Sequence, residues 1–269
     1  LKKFTIAEND IIFCHLDSLP ELFFQLQKIT KLSNLILITN QTDQAIDNSL
    51  YSKKPKCIKI WFSTNTTVES QDLRPIPLGI ANNYAKKNLS SESFNYTPKT
   101  SYKKSSMYIN FRESTNYKER SKLTRIFQNY DWVNISPANL DNSEYHNNLA
   151  NNTFVLCPWG NGVDTHRFWE VLYSGSIPIT KYHPTYKTAE KLPVLFVESY
   201  SQINQKLLDS FISKLDFTKQ EYEQLDMIYW ENKVFENKID LNTNEYVDIL
   251  ETKEETQLFV KNYVKRKNV

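Results

Sequence analysis

The chain has 269 residues, enough for one large domain or two modest ones, each with a core of its own. With 40% hydrophobic and 24% charged residues and a formal charge of +2, its make-up is that of an ordinary globular protein, and no basic block marks a nucleic-acid face. No run of about 18 apolar residues is present to cross a bilayer. Cys14, Cys57 and Cys157 each lie in or beside an apolar run, without CxxC spacing, and read as buried thiols of a reducing, cytoplasmic compartment. The opening LKKFTIAEND reads as the middle of something longer, so further domains of the same protein are expected as partners.

Residues 11–16 (IIFCHL) predict a first buried strand, with His15 packed in the core. Asp17-Ser18-Leu19-Pro20-Glu21 then starts a helix, with Asp17 as its cap or, standing at a strand end, as a candidate catalytic acid–base group. That helix turns Leu22, Phe23, Leu26 and Ile29 inward. Residues 35–39 (LILIT), 57–62 (CIKIWF) and 74–80 (RPIPLGI) predict three more strands, and Asp43 closes the loop after the second. Strands alternating with helical segments predict a parallel α/β sheet. The polar stretch from Asn82 onward marks a division: a first Rossmann-like domain over 1–90, a linker over 91–105, and a second domain over 106–269 ending in a helical tail.

The second half repeats the pattern. Residues 106–111 (SMYINF) predict a strand ending at Arg112, residues 117–128 a helix, 132–135 a strand and 142–151 another helix. Residues 153–180 (TFVLCPWGNGVDTHRFWEVLYSGSIPIT) then hold three of the chain's four glycines. The spacing gives a buried strand to Cys157, a glycine turn, a helix capped by Asp164 or Thr165, and a second strand from Ile177. This places a turn and a helix start at the carboxyl end of a parallel strand, where open α/β sheets bind ligands and free amides favour an anion. Arg167 and Glu170, three apart, share a helix face. They are either an ion pair or a pair serving two parts of one ligand. Residues 194–197 (VLFV) predict a late strand, and Ile203, Leu207, Leu208, Phe211, Ile212 and Leu215 recur at helical spacing.

The run CPWGNGVDTHRFWEVLYSGSIPI closely resembles the donor-binding motif of exostosin-like glycosyltransferases of the GT-B class, which reads CPRGNGIDTHRxWExLxxGxIPI. It more distantly resembles the corresponding segment of α-1,3-fucosyltransferases. Weaker likenesses lie at Thr39 to Asp43, where related chains read THNSD, and at Ile76 to Asn83, where they read IPLGIANS. Two departures stand out: Trp159 occupies an expected arginine position and Asn40 an expected histidine. The resemblance implies two Rossmann-like domains with parallel sheets facing a cleft. It also implies transfer of a sugar from a nucleotide sugar to a glycan or oligosaccharide acceptor, without a metal.

Such a transfer needs a nucleotide socket, charge to meet the departing diphosphate and, for inversion, a group that deprotonates the acceptor. Arg167, Arg112, His166 and the turn Gly160, Asn161, Gly162, Asp164 and Thr165 are the expected donor contacts, with Glu170 accepting from ribose hydroxyls. Arg120 and Arg125 read as structural. Asp43, with Asp17 second, is the expected base. No DxD pair ends a strand and the histidines lack ligand spacing, so neither metal nor cofactor is expected beyond the donor as substrate. A non-catalytic nucleotide-sugar or glycan-binding module within a longer protein is the competing reading, carried by Trp159 and Asn40.

Overall fold

The computed structural model describes residues 3–40, 43–82, 88–94, 99, 101–102, 105–240 and 246–250. The protein is α/β, with two Rossmann-like units built on parallel sheets. One unit holds residues 1–76 together with 228–269, and the other holds residues 77–227.

In the first unit, β1 (Lys3–Ala7) leads to β2 (Ile11–His15), α1 (Leu19–Leu26), β3 (Leu35–Asn40), a single turn α2 (Asn48–Tyr51), β4 (Ile58–Ser63) and β5 (Leu73–Pro75). The last four strands form a parallel sheet in the order β2-β3-β4-β5. The β-branched and aromatic runs LILIT and IKIWF supply its centre, where Leu35, Ile36, Leu37 and Trp61 are fully buried. Each such side chain contributes roughly 1.5–3 kcal/mol by leaving water. Beneath the carboxyl edge, the Trp61 indole donates to Thr39 Oγ1 at 2.8 Å and Thr39 donates to Ser63 Oγ at 2.7 Å, so these three buried side chains are paired.

Three sequence expectations change in this unit. β2 is an edge strand, with Phe13 59% exposed and the His15 side chain 41% exposed, so His15 is not a core histidine. A 3-10 turn, Leu16–Ser18, precedes α1, and the His15 imidazole, rather than the Asp17 carboxylate, caps it by accepting from the Asp17 amide at 3.3 Å. The strand expected over 74–80 stops at Pro75. Ile76 still donates to Ser63 O, but Pro75 and Pro77 have no N–H with which to carry the ladder on.

In the second unit, β6 (Met107–Ile109) is followed by α3 (Tyr117–Arg120), α4 (Leu123–Phe127), β7 (Val133–Ile135), α5 (Asn142–Asn151), β8 (Phe154–Leu156), α6 (His166–Tyr173), β9 (Ile177–Lys181), β10 (Leu195–Val197) and α7 (Gln205–Lys214). The sheet order is β10-β9-β8-β6-β7, all parallel. Counted from its first strand this is 2-1-3-4-5, a doubly wound order whose direction reverses between β6 and β8. The helix expected over 117–128 is broken at Ser121 and Lys122, and the Arg120 side chain at the break turns inward, 6% exposed.

The chain then returns to the first unit. Beyond α8 (Met227–Phe235) and residue 240, β11 (Tyr246–Leu250) pairs antiparallel with β1. Val234 of α8 clusters with Ile36, Ile60 and Phe62 of the first sheet. The observed division therefore differs from the expected one. It falls at Ile76/Pro77 rather than within 91–105, and residues from 228 on belong with the first unit instead of trailing from the second. The expected linker was read from polarity alone, yet Leu89 is buried in the second unit's core and Phe94 packs against it. Residues 95–98, 100, 103–104 and 251–269, over which the linker and tail expectations extend, lie outside the described residues.

Candidate functional site

The site stands at the carboxyl edge of the second sheet, where β6 and β8 diverge, the position at which doubly wound sheets leave a crevice. β8 runs into Cys157, Pro158 and the turn of Trp159 to Gly162, closed by the Gly160 amide donating to Gly162 O at 2.9 Å. Arg120 holds this turn from below. Its guanidinium donates to Trp159 O at 2.8 Å, Pro158 O at 2.8 Å and Arg112 O at 3.0 Å, and also to Thr115 Oγ1. A Cβ on Gly160 would stand 3.1 Å from Arg120 Nη2, which explains glycine at that position. Burial and the nearby Arg167 charge pull the Arg120 pKa down to about 10.

Thr165 is the N-cap of α6, and no side-chain capping bond is made there. Asp164, 2% exposed, instead accepts from the Leu78 amide at 2.8 Å and the Trp169 indole at 2.7 Å. Burial pushes its carboxyl up to about 7, against the pull of those N–H donors. His166 Nδ1 lies 2.8 Å from Gly79 O. A carbonyl only accepts, so Nδ1 carries a proton and Nε2 is the ring's other nitrogen. Asp164 and His166 thus fasten residues 78–79 to the start of α6. Glu170, 5% exposed, accepts from Tyr145 Oη at 2.8 Å and from the Leu89 amide, and burial raises its pKa.

Arg167 differs from these. Its Nη2 makes one long contact, 3.3 Å, to Asn110 Oδ1 just past β6, and its guanidinium carbon lies 5.2 Å from the centre of the Tyr145 ring. Nη1 is buried and has no hydrogen-bond partner. Burial opposes the charge, while neighbouring groups including Glu170 restore it, and the net shift is upward, so the side chain stays a cation. No carboxylate oxygen lies within 4 Å of it among the described residues. A half-buried guanidinium that uses so few of its five donors, beside a helix N-terminus, is set to take an anion.

The structure therefore brings Gly160, Gly162, Asp164, Thr165, His166, Arg167 and Glu170 together, with Asn161 exposed on the turn. Arg112 is exposed after β6, and its carbonyl is used by Arg120. Asp43 is exposed past the end of β3, in the first unit, and Gln41 and Thr42 beside it lie outside the described residues. Asp17, in that same unit, has its carboxylate 3.5 Å from His15 Nδ1, and His15 pairs in register with Asn40. Trp159 packs beneath the Lys181 ammonium, 4.7 Å from its ring centre. Sequence reasoning missed Asn110 and Tyr145. Asn110, directly after a strand, carried a positional signal, whereas Tyr145 on α5 carried none. Among the described residues no three His, Cys, Asp or Glu side chains gather as a metal would require.

Fold and site together define a doubly wound α/β protein with a guanidinium and a helix start at the carboxyl edge of its second sheet. No protein-family model matches the chain, and no curated protein does. Among solved structures it resembles AviGT4, a glycosyltransferase involved in avilamycin A biosynthesis, with 10% identity and a TM-score of 0.38 over 81% of this chain and 77% of that one. A likeness at this distance carries no argument about activity.

Proposed function

We propose that the protein is a glycosyltransferase that takes a sugar from a nucleotide-sugar donor to a glycan acceptor, with inversion and without a metal. The observation that supports this best is the Arg167 guanidinium, unpaired by any carboxylate at the switch point of a doubly wound sheet. In this reading the donor diphosphate lies against Arg167 and the first turn of α6, where charge-assisted bonds grow stronger as the leaving group gains charge. The Gly160–Gly162 turn lets the diphosphate approach the backbone closely, and His166 Nε2 takes a sugar or phosphate oxygen. Glu170 and Asp164 are left out of the donor contacts, because their oxygens already receive protein N–H and O–H groups. Asp43 or Asp17, at the carboxyl edge of the first unit's sheet, takes the acceptor proton.

The test is calorimetric titration of the protein with UDP, GDP and ADP, followed by an assay of nucleotide release from the matching sugar donors. Wild type is expected to bind one of these nucleotides. Arg167→Ala should weaken that binding by roughly 10²-fold, the size for a lost charge-assisted contact of about 3 kcal/mol. Arg167→Ala binding as tightly as wild type would remove the diphosphate from this edge. Binding without any sugar release across a panel of saccharide acceptors would favour the binding-module reading.

A further inference from the structure

The helix spacing of Arg167 and Glu170 leads to a salt bridge, and the structure does not form one. Residues three apart share a face, and a half-buried arginine beside a buried glutamate would ordinarily close onto it. Glu170 already receives two donors: the Tyr145 hydroxyl reaches Oε2 at 2.8 Å, and the Leu89 amide bonds the carboxylate as well. The Tyr145 ring meanwhile lies against the Arg167 guanidinium, 5.2 Å from its centre. One side chain on α5 therefore touches both members of the pair. Arg167 is left with one 3.3 Å contact and an unpartnered buried Nη1.

We infer that Tyr145 is a positioning residue: its hydroxyl holds Glu170 away from Arg167, so that the guanidinium is free for the phosphate oxygens of a ligand. This rests on the donor reading above and assigns Glu170 a restraining role in place of a ribose contact. Without the hydroxyl, Glu170 Oε2 loses its donor, and the guanidinium one turn away on the same helix can replace it. An internal carboxylate then competes with the incoming diphosphate.

Because the competitor is Glu170 itself, a double-mutant cycle isolates the effect. Binding of inorganic pyrophosphate and of UDP, GDP and ADP is measured by calorimetry for wild type, Tyr145→Phe, Glu170→Gln and the double variant, each checked by melting temperature. Tyr145→Phe keeps the ring and is expected to weaken binding about tenfold, an ordinary size for coupled neighbours. Glu170→Gln should bind at least as tightly as wild type, since it removes a negative charge beside the anion. The double variant should match Glu170→Gln, because no competing carboxylate remains. Unchanged binding by Tyr145→Phe overturns the inference, as does the same loss in the Glu170→Gln background or weaker binding by Glu170→Gln alone. A wild type that binds none of the four probes overturns the donor reading, an outcome separate from these.

Discussion

A buried carboxylate that receives protein N–H donors on both oxygens cannot be exchanged for an amide without loss. Asp164 Oδ2 takes the Leu78 amide and Oδ1 the Trp169 indole, so in Asp164→Asn an NH2 group must face one of these N–H donors. That unmatched donor should cost about 1–3 kcal/mol in thermal or urea unfolding. The same residue gives wild type a pH signature. Its carboxyl titrates at about 7 in the folded chain, above its ordinary value of 3.8. Between those limits the unfolded chain gives up the proton first, so this stabilising contribution is complete below about pH 4 and is lost as pH rises toward 7. Asp164→Asn should lack that decline. A variant whose stability falls with pH in parallel with wild type would assign the decline to another group.

At the scale of elements, the glycine turn owes its shape to a residue nearly forty positions upstream. Arg120 ends α3 and spends its donors on carbonyls at Pro158, Trp159 and Arg112. Arg120→Met should leave those carbonyls without partners and cost roughly 3 kcal/mol or more, read as a drop in melting temperature. Arg120→Lys should recover only part, because an ammonium cannot span the same fork of acceptors. A drop of a few tenths of a kcal/mol would mean that the turn supports itself.

The strands from LILIT, IKIWF and FVLC, the glycine turn and α6 were legible in the sequence, because those runs are local and apolar and the glycines cluster at one place. By contrast, β1 and β11, which pair with each other across the chain, carried no such run. What fastens the turn was not legible either. Asp164 and His166 reach residues 78–79, Glu170 reaches Tyr145 and Leu89, and Arg120 reaches 158–159, and none of these partners has a signature at fixed spacing. The same limit applies to residues 91–105. Polar composition there resembles a linker, but composition does not record that Leu89 and Phe94, at its edge, pack in a core.

For the whole molecule, the first unit is completed by the chain's return. Val234 on α8 is 7% exposed against Ile36, Ile60 and Phe62, in a cluster that also draws on Ile11, Ile38 and Ile76. Val234→Asp would place a carboxylate in that cluster, at a cost of at least about 2 kcal/mol. Hydrogen exchange should then show β3 and β4 losing protection while β6 and β8 keep theirs. Equal loss in both sheets would mean that the two units unfold as one.

The interrupted layout of the first unit also bears on how the protein is made. A ribosome delivers residues 77–227 as one continuous stretch, so the second unit can settle while synthesis continues. The first unit must wait for residues 228–240, the stretch that carries Val234. Until then one face of its sheet stays wet, and the nascent chain carries an apolar surface with a lifetime set by translation speed.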